Sequence, residues 1–148
     1  MKKLSLALMF LLALGLTSCA SLVSSMKLTP EQQEYVDEVK QFPLDFEIDK
    51  TDNEDDWGRA QAFIGKYSDM KLQIVTDYNL QTYNSTNEEE KFAYSVTKTP
   101  VGNKLQITIE CTEANPFFGK EDAIMNAHIL AYYISTGQLH PELVQRRH

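Results

Sequence analysis

The apolar positions along the chain change period several times, and each change marks an element. Leu4 through Leu16 form an almost unbroken apolar run behind Lys2 and Lys3, and the polar "TSCASLVSS" follows at once. That run is shorter than the roughly 20 residues a bilayer-crossing helix needs, so it reads as an export signal. From Thr29 the pattern turns helical: Tyr35, Val36 and Val39 form one stripe, which Phe42 continues. Thr29 suits the N-cap, Pro30 the first helical position and Gln32 the far side of a capping box, while Pro43 ends the helix. "FPLDFEID" then alternates, with Phe42, Leu44, Phe46 and Ile48 on one face and Asp45, Glu47 and Asp49 on the other, which predicts a strand.

A second helix is predicted within "DKTDNEDDWGRAQAFIGKYSDM". Thr51 or Asp52 caps it, the acidic residues from Asn53 to Asp56 face its positive end, and Trp57, Ala60, Ile64 and Tyr67 line one side with Phe63 beside them. Three strands should follow. "KLQIVTDYNLQTY" sets Leu72, Ile74, Thr76, Tyr78 and Leu80 on one side, "KFAYSVTK" sets Phe92, Tyr94 and Val96, and "KLQITIECT" sets Leu105, Ile107, Ile109 and Cys111. "TPVGN" between the last two suits an antiparallel hairpin. The last helix lies in "GKEDAIMNAHILAYYISTGQLHP", with Glu121 and Asp122 at its start and Gly137 at its end. It is apolar almost all round, Ile124, Ala127, Leu130, Ala131 and Ile134 included, and should be the most buried helix. The class is therefore α+β: an N-terminal helix, then β-α-β-β-β-α, an antiparallel sheet with its helices packed on one face. Residues 1–18 are the leader, 19–28 a short tether and 29–148 one domain.

Charge and chemistry narrow the function more than they define it. Lys and Arg number 14 against 21 Asp and Glu, for a net charge of −7, and loss of Lys2 and Lys3 with the leader makes the chain more acidic still. That balance argues against nucleic acid or an anionic lipid surface as the main partner. Of the two cysteines, Cys111 shares its parity with three aliphatic residues and reads as a small apolar side chain. His128, His140 and His148 form no motif with it, and His128 reads as a core or boundary residue. The acidic stretch before Trp57 lacks the alternating oxygens and central glycine of a calcium loop. No zinc, P-loop, dinucleotide or serine-hydrolase signature occurs, so neither metal, cofactor nor catalysis is expected. The loop "EANPFFGKED" offers Phe117 and Phe118 as a partner contact, with Phe118 also placed to pack near Ala123 as a hydrophobic staple. Inward aromatics at Phe46, Tyr78, Phe92 and Tyr94 leave open a second reading, a lipid or small apolar ligand held between sheet and long helix.

Leu16-Thr17-Ser18-Cys19 resembles the bacterial lipobox. The resemblance implies a diacylglyceryl group on the Cys19 thiol, cleavage before it and a membrane anchor through lipid. Two or three acyl chains hold durably where one does not. Ala20, in place of the aspartate that often signals inner-membrane retention in enteric bacteria, favours the periplasmic face of an outer membrane. From Phe42 to Leu139 the order of elements, with Trp57 in the first β-α unit's helix, resembles helix-grip and TBP-like domains of envelope lipoproteins such as the BamC accessory subunit. That likeness implies no functional residue. Together they imply a non-enzymatic envelope module with a protein partner.

Overall fold

The computed structural model describes residues 28–51, 53–86, 91–113 and 119–145. Helix α1 spans Pro30–Gln41, strand β1 Asp45–Asp49 and helix α2 Asn53–Tyr67. Strands β2 (Leu72–Val75), β3 (Asn79–Thr82), β4 (Phe92–Val101) and β5 (Lys104–Glu113) follow, then helix α3 (Lys120–Thr136) and a short 3-10 turn at Pro141–Leu143. Each expected α1 signal is in use: the Thr29 hydroxyl accepts from the Gln32 amide, the Gln32 side chain accepts from the Thr29 amide, and Tyr35, Val36 and Val39 are buried.

The five strands form one antiparallel sheet in the order β1-β5-β4-β3-β2. The α+β class stands, but the sheet has one strand more than the alternating pattern predicts. "KLQIVTDYNLQTY" is a hairpin, β2 and β3, not one long strand. The Thr76 hydroxyl makes the turn. It accepts from the amides of Tyr78 (3.2 Å) and Asn79 (2.9 Å) and contacts the Asn79 carbonyl at 3.2 Å. Thr76 and Tyr78, expected to face inward, are exposed in consequence. A register shift after Leu72 also sets Ile74 opposite Gln81, on the other face from Leu72 opposite Thr82.

One face of the sheet carries the core. Ile48 of β1, Leu80 of β3, Phe92, Tyr94 and Val96 of β4, and Leu105, Ile107 and Ile109 of β5 meet Trp57, Phe63 and Ile64 from α2 and Ile129, Leu130 and Ile134 from α3. Each such side chain, once fully buried, contributes about 1.5–3 kcal/mol. Asp45, Glu47, Gln106, Thr108, Ser95 and Thr97 pair along the opposite, polar face. Gly102, at φ +60°, begins the two-residue turn between β4 and β5, the conformation that a glycine adopts without steric cost. Helix α1 leans on α3 through the edge-to-face pair Tyr35–Tyr132, ring centroids 5.5 Å apart. Helix α3 is buried on most sides, with one correction: Ile124 is 44% exposed. Gly137, at φ +75°, caps it. Among the described residues no helix is long and apolar enough to cross a membrane.

Candidate functional site

Cys19, Phe117 and Phe118, the residues singled out for lipidation and partner contact, lie outside the described residues, as do Asp52 and His148. The other sequence candidates are described. Cys111 stands on the core face opposite Tyr94, packed against the core, and burial pushes its thiol up to about 12. A thiol so raised is almost wholly protonated at neutral pH. His128 sets Nδ1 2.8 Å from the Phe42 carbonyl, and since a carbonyl only accepts, that nitrogen carries the proton and donates. The ring thereby ties α3 to the end of α1. His140 stacks on Tyr35, centroids 4.6 Å apart, and meets Glu142 at 3.2 Å. Hydrogen bonds, including those from Gln32 and His140, hold Glu142 below the usual carboxylate range. The acidic stretch serves α2: Glu54, Asp55 and Asp56 occupy its first turn, and Asp56 pairs with Arg59, whose Nε also donates to the Ile134 carbonyl at 2.8 Å. No group of three or more metal-ligating side chains occurs among the described residues.

The most unusual chemistry lies in β4, at a position not singled out from the sequence. Phe92, Tyr94 and Val96 occupy its core-facing positions, and the next such position, opposite Ile107, is Lys98. Lys98 is only 6% exposed. Its ammonium lies 4.4 Å from the centroid of the Trp57 ring and 5.8 Å from that of Tyr78. Burial lowers the Lys98 pKa, and the charge of Asp77 acts in the opposite direction. The Trp57 indole is held in turn, its N–H donating to the Thr76 carbonyl at 3.2 Å, while the Lys98 amide donates to the Tyr78 carbonyl at 2.9 Å. The β2–β3 turn, α2 and β4 thus converge on one cleft of about 660 Å³, whose walls include Glu54, Trp57, Gly58, Tyr78 and Lys98. Neither His128 nor Cys111 lines it. What it presents is a buried cation beside two aromatic faces, with the carboxylates of Glu54 and Asp77 also in its walls. The signal was present in the sequence: a lysine two residues after Val96 keeps the inward parity of an apolar strand face.

Comparison with protein-family models, curated proteins and solved structures finds no significant match.

Proposed function

We propose that this protein is a lipid-anchored component of a bacterial cell envelope that works by binding a protein partner. The anchor rests on the sequence alone: two lysines, an apolar run and Leu16-Thr17-Ser18-Cys19, in lipobox order. The periplasmic face of an outer membrane is the proposed location, on the strength of Ala20. Binding in place of chemistry is supported by the roles that the reactive side chains already hold, above all the Cys111 thiol pushed up to about 12 among core residues. The packing between sheet and α3 favours this reading over a lipid carrier. Phe92 and Tyr94, which would line a chamber there, are each 1% exposed, and Tyr94 meets Phe63 edge to face at 5.9 Å. Phe46 meets Phe42 edge to face at the β1 edge, and Tyr78 is exposed beside the Lys98 cleft. Phe117 and Phe118 remain the proposed partner contact.

Fractionation tests the anchor. Cys19→Ala removes every acyl chain and should shift the protein from membranes to the soluble fraction; a variant that stays membrane-bound through a salt wash rejects the lipobox reading. Crosslinking in cells, with Phe117→Ala beside the parent, tests the partner: the variant should keep its melting temperature and lose its crosslink. Stoichiometric lipid in native mass spectra of the purified protein would favour the carrier instead.

A further inference from the structure

We propose that the cleft between α2, β4 and the β2–β3 turn binds a small aromatic carboxylate, its carboxylate on the Lys98 ammonium and its ring against Tyr78 and the wall at Gly58. The inference goes beyond the envelope-module reading and does not depend on the anchor.

Four observations converge on it. The cleft, about 660 Å³, has the size of a small-molecule site. Lys98 brings a positive charge to a position that the three preceding core-facing residues of β4 give to Phe92, Tyr94 and Val96, and does so at 6% exposure. In such partly desolvated surroundings a charge-assisted hydrogen bond to a carboxylate is stronger than at an open surface. Tyr78 is 56% exposed, so its ring offers a face to a ligand. Gly58 sits inside a helix, where glycine is disfavoured, and a Cβ placed on it would meet nothing within 4 Å. No packing contact calls for a glycine there, and since Gly58 is exposed and lines the cleft, a methyl added to it would stand in open space at the cleft wall. The surrounding charges set the sign of the tests. Asp77 and Glu54 oppose an anion, while the Lys50 ammonium at the rim donates to the Gly102 carbonyl at 2.7 Å.

Trp57 is the chain's single tryptophan and touches the Lys98 ammonium, so its fluorescence reports on the cleft. The full chain in detergent micelles is titrated with N-acetylphenylalanine and with N-acetylphenylalanine amide, which differ only in the carboxylate. The acid should give a saturable change and bind roughly tenfold tighter than the amide, and Lys98→Met should erase the difference. Asp77→Asn, a surface change, should tighten the acid by about two- to fivefold and leave the amide unmoved. Gly58→Ala should raise the melting temperature yet weaken the acid, whereas Gly65→Ala, on the same helix but outside the cleft, should raise it with binding unchanged. A tripeptide ending in phenylalanine binding more tightly than the free acid would assign the cleft to chain termini, and weaker binding would assign it to small acids. No saturable change, equal binding of acid and amide, or a response untouched by both Asp77→Asn and Gly58→Ala overturns the proposal.

Discussion

Cys111 and Tyr35 keep protons that an unfolded chain would release. Burial pushes Cys111 from 9.0 to about 12 and Tyr35 from 10.0 to about 12, the latter partly offset by the backbone at His140. Above about pH 9 the unfolded state binds fewer protons than the fold at these two groups, so their contribution to stability is whole below that point and falls as pH rises toward 12, while the lowered Lys98 acts in the opposite sense. Denaturant midpoints at about pH 8 and about pH 10.5 should show the decline, and Cys111→Ala should make it shallower. In Cys19→Ala, where Cys111 is the single thiol, iodoacetamide should label the native protein slowly and the denatured protein at once. His128→Leu keeps the volume but leaves the Phe42 carbonyl without its donor, and should cost about 1–3 kcal/mol in thermal or denaturant unfolding. Cys111 was legible because parity along a strand is a local property. Lys98 had the same parity, and only the position of Trp57, far away in the sequence, explains how its charge is accommodated.

The elements with regular periods were the most legible, and the β2–β3 hairpin shows where period misleads. Leu72, Ile74, Thr76, Tyr78 and Leu80 alternate without a break, and neither glycine nor proline interrupts them. The reversal is closed by the Thr76 amide donating to the Asn79 carbonyl at 2.9 Å and reinforced by the Thr76 hydroxyl, a local option that residue type alone does not reveal. Thr76→Val, close in shape but without the acceptor, should destabilise the protein by about 1–2 kcal/mol, measured by denaturant unfolding. It should also loosen Trp57, whose indole donates to the Thr76 carbonyl, and so shift its emission. Helix α2 offers the opposite case. Gly65 has open space where a Cβ would stand, and Gly65→Ala should add about 1 kcal/mol to the stability by the same measurement. Helix α3 was readable as the central helix from its composition, although Ile124 stays exposed where its neighbours are covered.

At the scale of the molecule, the order of elements could be read along the chain but not their neighbours. Phe46 opposite Ile107 and Ile48 opposite Leu105 join segments far apart in sequence, and no local period specifies such pairs. Helix α2 carries the chain from β1 at one sheet edge to β2 at the other, so β1 finds its partner only in the last strand. The C-terminal segment adds a second long-range closure. Asn126, at 0% exposure, accepts from the Gln145 amide and donates to its carbonyl, both at 2.9 Å, while Leu143 and Val144 are buried below it. Gln32 reaches from α1 to Glu142 at 3.1 Å. Truncation after Gln138 should therefore cost about 3–5 kcal/mol, from lost apolar burial and an orphaned amide, and chemical denaturation would read the loss. These two closures separate contacts that form locally from those that must wait for distant segments. The β2–β4 meander has its partners within a few tens of residues, but β1 has no strand beside it until β5 is in place, and Asn126 has none of its Gln145 bonds until the segment after α3 docks. Closing the sheet at β1 therefore waits on a contact between distant segments, so the slowest step of refolding should be this long-range closure and not the meander.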